Sequence, residues 1–349
     1  MKKISGLFFL LLFVSVLPAA ERAQWEPLPL AVSGNAAAAQ KVGKTLFLFS
    51  FMGIGENKTW NSVTNRVFAL DTESGKWNEQ RPVPGPAGRL DASAVAAHNV
   101  VYLLGGYTLD AKGDETSVRS VEMLLPSRGI WYRGEDMPIP LDNTVAGEYR
   151  GRYIYTIAGR SHGTPVRNVQ LYDLQKNVWM QATPLAGSPV FGHAGAIVDD
   201  AIIYIDGAQL NPAGSKPRYV PSDECWIGKI DHKDPAKIQW SKLPSHPGSA
   251  HYQIASTPTD HDRRIYFSGG SELPYNYAGV TYTGTPAEPS PVTFAFNLKT
   301  MKWEVITDKT PDPTLGTRTL LATSHGLVRM GGMEAGQKVT SNVTVIPRK

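Results

Sequence analysis

The chain of 349 residues carries a formal net charge of only +4, and charged residues make up 19% of it. Basic residues neither cluster nor greatly exceed the acids, which excludes an electrostatic nucleic-acid binder. The single cysteine, Cys225, excludes an intramolecular disulfide, and 33 glycines with 26 prolines favour short strands and turns over helices.

In chain order, residues 1–20 read as a secretory leader. Lys2 and Lys3 precede an apolar run from Leu7 to Leu17, followed by Pro18, Ala19 and Ala20. The run is shorter than the roughly 20 residues that span a bilayer, so cleavage leaves no membrane segment. The short dilysine start has a bacterial look, and the expected destination is the periplasm. Trp25-Glu-Pro-Leu-Pro29 then reads as an unattached strand.

Behind it one phrase repeats. An apolar strand stops at glycine in Thr45–Gly53, Val100–Gly106, Tyr153–Gly159, Ile202–Gly207, Arg264–Gly270 and Gly326–Gly332. A second apolar strand follows in Asn65–Asp71, Val118–Leu125, Arg167–Leu174, Asp223–Asp231, Val292–Leu298 and Ser341–Pro347. Trp77, Trp131, Trp179, Trp240 and Trp303 each open a further strand, and Trp25 has the same local setting. A tryptophan therefore returns every 50–60 residues or so, the mark of a repeat architecture. Continuous apolar runs suit strands buried on both faces, and the indole supplies a wedge between neighbouring sheets.

Four strands in each of six units make an all-β, six-bladed β-propeller. After Trp303 only three strands remain, so the N-terminal strand is expected to complete the last blade and close the ring. The phrase of apolar strand, Gly-Gly, apolar strand and Trp resembles the Kelch repeat. The resemblance covers residues 24–349 and implies one propeller domain.

Two units are longer than the others, through Ala208–Ser222 in the fourth and Ser271–Pro291 in the fifth. Both are loops between second and third strands, and in a blade these lie on the same face as the residues leading into the first strand. Long loops on a rigid scaffold usually carry function. The expected site is thus the loop face of the central channel. Arg89, Arg160, His193, His251, Tyr275 and Arg318 are its candidate ligand-binding residues, with Asn35, Asp91 and Asn143 on the same face. Convergent arginines suit a carboxylate, and Tyr219, Tyr275, Tyr277 and Tyr282 suit the apolar face of a sugar. The eight histidines show no metal-ligand spacing, apart from a meeting of His193 with His251 across adjacent blades. No metal and no cofactor are expected.

Particular phrases resemble the bacterial periplasmic N-acetylneuraminate epimerases, or sialic acid mutarotases. They are Pro86-Ala-Gly-Arg89, Gly316-Thr-Arg318 and Gly331-Gly-Met-Glu334-Ala-Gly. The resemblance implies an isomerase that interconverts sugar anomers, with a cationic clamp and a general acid/base. Arg218 answers to the family's arginine after the fourth glycine, while Ala208 stands where its acid is expected. Glu272 and Glu334 are then the candidates to move the proton, and Arg218, Glu272 and Glu334 form the implied catalytic set. The first reading is an exported propeller that binds an acidic sugar, a glycan or a protein at the loop face. The second is a sialic acid mutarotase. The oligomeric state stays open, with a homodimer among the options.

Overall fold

A computed structural model of the chain describes residues 25–85 and 87–348. The expected leader lies outside the described residues. Five antiparallel sheets of four strands follow one another. Blade one holds Ala36–Val42, Thr45–Ile54, Val63–Asp71 and Trp77–Gln80, and blade two Ser93–Ala97, Val100–Leu104, Val121–Leu125 and Ile130–Arg133. Blade three holds Val145–Tyr149, Tyr153–Ser161, Thr164–Asp173 and Val178–Ala182. Blade four holds Ala194–Val198, Ala201–Ile205, Cys225–Ile230 and Ile238–Lys242, and blade five Ala255–Thr259, Arg264–Ser268, Thr293–Asn297 and Lys302–Thr307. Blade six has three described strands, Leu321–Thr323, Gly326–Met330 and Val343–Ile346. The first strands of the six blades touch in sequence around a central axis, the last against the first. No helix among the described residues is long and apolar enough to cross a membrane.

The alternation of apolar strands and turns has a direct packing consequence. Each pair of neighbouring blades encloses its own apolar cluster, such as Tyr155, Leu171, Ile202 and Tyr204 between blades three and four. Ile205, Phe267, Phe294 and Phe296 fill the space between blades four and five. Burying each such side chain contributes roughly 1.5–3 kcal/mol. Glycine at the second-strand ends lets the next blade come close. A Cβ on Gly269, whose φ is +78°, would lie 3.0 Å from the carbonyl oxygen of Thr314, which leads into blade six.

The tryptophans sit at the outer edge and point backwards. Each indole N–H donates to a backbone carbonyl just beyond the outer strand of the preceding blade. Trp131 reaches Arg81 at 3.1 Å, Trp179 reaches Glu135 at 2.8 Å, and Trp303 reaches Pro244 at 2.8 Å. Trp240 reaches Thr183 at 3.4 Å, and Trp77 reaches Glu26 at 2.8 Å. Trp25 departs from the pattern, donating forward to the Thr72 carbonyl at 3.3 Å.

Glu26 thus occupies the place of a post-strand residue of blade six. The N-terminal segment does lie along the outer edge of that blade, but without the ladder of a strand. Leu28 N–H donates to the Ser341 carbonyl at 2.8 Å, and Gly332 N–H to the Val32 carbonyl at 2.8 Å. Leu28 and Val32 are buried, and Trp25 packs against the apolar cluster that holds Val328 and Met330. Prolines at positions 27 and 29 lack the N–H groups that a ladder requires, which explains the short contact.

Candidate functional site

Two residues ahead of the first strand in blades one to five, and five ahead in blade six, one residue has a left-handed backbone: Gly34, Asp91, Asn143, Gly192, Gln253 and Gly316. This conformation turns their peptide groups toward one another around the axis. Asp91 N–H donates to Gly34 O at 2.9 Å, Asn143 to Asp91 at 3.1 Å, and Gly192 to Asn143 at 3.0 Å. Gln253 donates to Gly192 at 2.7 Å, and Gly34 to Gly316 at 2.8 Å. The sixth link is made by a side chain. Gly316 N–H donates to the Tyr275 hydroxyl at 2.8 Å, which donates in turn to Gln253 Oε1 at 2.8 Å. Tyr275, an expected ligand-binding residue, is buried and completes this ring.

Three side chains meet across the ring. Asn143 Nδ2 and Gln253 Nε2 both donate to Asp91 Oδ2, at 3.1 and 3.0 Å. Gln253 Nε2 also reaches Asn143 Oδ1 at 2.9 Å. Burial pushes the Asp91 carboxyl up to about 6, against the pull of the nearby Arg318 guanidinium. This polar plug seals the channel at the loop face.

The two long loops add an aromatic lid above it. Tyr219 packs edge-on against Phe191 and Tyr282, with ring centroids 4.9 and 4.8 Å apart, and Tyr252 against Tyr275 at 5.1 Å. The lid's aromatic rings cover one another. Beneath it, Arg160 is paired with Asp142 at 2.8 Å and Glu115 at 2.6 Å, with its guanidinium over the Tyr107 and Phe191 rings. Arg89 is buried against Glu122 and the Ser120 hydroxyl. Both guanidiniums are thus already paired with carboxylates of the fold.

The open space lies on the other side of the plug. A cavity of about 390 Å³ runs along the first strands, walled by small residues including Ala38, Ala94, Ala96, Gly147 and Gly195. Thr144, Ser256 and Thr257 add hydroxyls, and Glu148 with the exposed Asp260 marks the mouth on the hairpin face. His193 and Arg318 line the blind end. Arg318 Nη2 donates to the His193 carbonyl at 3.0 Å, while its buried Nε has no partner. Burial lowers the Arg318 pKa, with Asp91 opposing. Neither ring nitrogen of His193 has a well-formed hydrogen bond, although the Ile157 backbone lies near enough to favour protonation slightly. Burial first, and Arg318 second, lower this imidazole to about 3, so the ring is neutral.

The remaining expected residues are dispersed. Arg218 is exposed, stacked on Tyr219, and donates to the Gly163 carbonyl at 2.9 Å. Glu334 accepts from Asn342 Nδ2 at 2.8 Å. Glu272 is exposed and lines an outer pocket of about 430 Å³ with His251, Thr281 and Ser290. His251 does not meet His193, whose ring faces Tyr204. It meets His246 and Asp206 instead, and these three buried groups bring their ligating atoms within 4.8 Å of one another. Gln253, Asp206 and His246 were not picked out from the sequence. Gln253 was legible as the counterpart of Asp91 and Asn143, two residues ahead of its first strand.

Comparison with known proteins agrees with this architecture. Residues 34–270 match the KLHDC2/KLHL20/DRC7 Kelch-repeats domain. Kelch-like protein 15 of Gallus gallus is 30% identical over 37% of this chain and 25% of its own length. Kelch repeat and BTB domain-containing protein 13 of Homo sapiens is 24% identical over 62% of this chain and 42% of its own. The chain thus spans about a quarter to two fifths of the length of these curated relatives. The solved structure of YjhT superposes with a TM-score of 0.72, covering 93% of this chain and 97% of that one at 15% identity, a likeness of fold. With the family match covering more than half its residues, the chain belongs to the KLHDC2/KLHL20/DRC7 Kelch-repeats domain family.

Proposed function

We propose that this chain is an exported, ligand-binding Kelch propeller that takes a small carboxylate-bearing ligand, of the acidic-sugar class, into its central channel from the hairpin face. The observation that carries this reading is the state of Arg318. Arg89 and Arg160 are neutralised by carboxylates, and Arg329 is held by the Pro311 and Asp312 carbonyls. Arg318 makes no ion pair among the described residues, reaches an open cavity, and keeps a buried N–H without a partner. A buried donor in that state gains most from an anionic acceptor. The surrounding threonine and serine hydroxyls suit a polyhydroxylated ligand, and the alanine and glycine walls leave room for a ring.

Titration with N-acetylneuraminate, followed by ligand-observed NMR, tests the reading. Wild-type protein is expected to bind, and Arg318→Met to weaken binding by about 10- to 100-fold, the equivalent of 1.5–3 kcal/mol for a charge-assisted hydrogen bond. Arg218→Met, altered on the opposite face, leaves the affinity unchanged. Binding unaffected by Arg318→Met, or dependent on Arg218, overturns the channel assignment. An anomer time course in the same samples separates holding from catalysis, since faster interconversion extends the reading to an isomerase. Export is tested by N-terminal sequencing of the periplasmic product.

A further inference from the structure

We propose that Asp206, His246 and His251, at the boundary of blades four and five, form a binding site for a divalent transition metal of the zinc class. His246 Nε2 lies 2.9 Å from each Asp206 carboxylate oxygen, and His251 Nδ1 lies 3.9 Å from Asp206 Oδ2. Two imidazoles and a carboxylate are a donor set suited to zinc and its neighbours. Tetrahedral coordination at zinc bond lengths places donors about 3.3 Å apart. The two observed separations straddle that value, so small side-chain rotations seat an ion.

The outer contacts are already those of ligands. His246 Nδ1 is 3.0 Å from the Pro247 carbonyl oxygen, which fixes the proton on that nitrogen and directs Nε2 inward. His251 Nε2 is 3.0 Å from the Ser290 hydroxyl, which likewise leaves Nδ1 facing Asp206. Asp206 Oδ2 accepts the His251 backbone N–H at 2.8 Å, which orients the carboxylate. The His246 ring is clamped flat against Phe294, with centroids 4.6 Å apart.

Two features go beyond a buried ion pair. An Asp206–His246 pair accounts for His246 but leaves His251 Nδ1 buried without a well-formed hydrogen bond, although the Ser249 backbone lies close to the ring. A metal ion supplies that missing partner. Asp206 also occupies the first position of the glycine doublet, where blades two, five and six carry Gly105, Gly269 and Gly331. It holds a left-handed backbone there, with φ of +61°. Met52 and Ala158 hold the same conformation at the equivalent position of blades one and three, so the backbone belongs to the repeat, and the carboxylate is what sets blade four apart. The outer pocket lined by His251, Glu272 and Ser290 gives the ion a way in.

The test is a titration of the chelator-treated mature chain with Co²⁺, read by its visible absorption, followed by displacement with Zn²⁺. One Co²⁺ per chain is expected, with the strong bands of a low-coordinate centre, and Zn²⁺ raises the melting temperature. Asp206→Asn and His251→Ala weaken binding by roughly 100-fold or more, whereas His261→Ala, at an exposed histidine, binds as wild type. His251→Gln serves where the alanine variant fails to fold, and near-UV circular dichroism verifies the fold of each. Absence of a saturable site at micromolar metal overturns the proposal. So does a site that survives both Asp206→Asn and His251→Ala or His251→Gln.

Discussion

Two side chains on either side of the channel's blind end respond to pH in opposite ways. His193 is neutral in the fold because burial lowers it to about 3, whereas the unfolded imidazole titrates near 6.5. Its contribution is present above about 6.5 and is lost as pH falls toward 3, because the unfolded chain then binds the extra proton. Asp91 is raised to about 6, so its contribution is present below the ordinary carboxyl range and is lost as pH rises through about 6. At about 1.4 kcal/mol per pH unit, each effect amounts to a few kcal/mol. Urea melts at pH 4 and pH 7 separate them. His193→Gln should shrink or reverse the gain in stability from pH 4 to pH 7, and Asp91→Asn should enlarge it. Unchanged differences in both variants would place the titrating groups elsewhere.

At the scale of the element, the outer strand with its tryptophan is the unit of blade-to-blade attachment. Trp179 stacks on Tyr172 at 4.7 Å between ring centroids while its N–H ties back to Glu135. Trp179→Phe keeps most of the stacking and drops the hydrogen bond, for an expected cost of about 1 kcal/mol. Trp179→Ala loses both and should cost about 3 kcal/mol, somewhat less than a fully buried tryptophan. Denaturant midpoints at constant slope check both values. The strands, their order and the outer position of Trp were legible because they depend on local periodicity. The indole hydrogen bonds were not, since Trp179 and Glu135 belong to different blades and nothing near either residue names the other. The same holds for Asp206, His246 and His251, where a carboxylate about forty residues upstream completes two histidines five apart. The long loops were correctly placed on one face, but their filled interior depends on Tyr219, Tyr252, Tyr275 and Tyr282 meeting across blades.

For the whole molecule, the seam between blades six and one is the join that the N-terminal segment closes. The joins from blade one through blade five have a four-stranded sheet on each side, whereas blade six relies on the segment around Leu28 for its outer edge. Deleting residues 24–30 removes the Ser341 contact, the acceptor of the Trp77 indole and a buried leucine. The expected product is unfolded or insoluble, and a stable soluble deletion chain would contradict this account of closure. Leu28→Ala alone should cost about 2–5 kcal/mol, read from thermal melts. The ring is also closed across its axis, at the plug. A tube stoppered at one end has a single door. Any body that settled over the hairpin face without touching the bound molecule would slow its arrival and its departure by the same factor. Affinity would stay where it was while residence time lengthened, so control over this propeller would be exerted as timing.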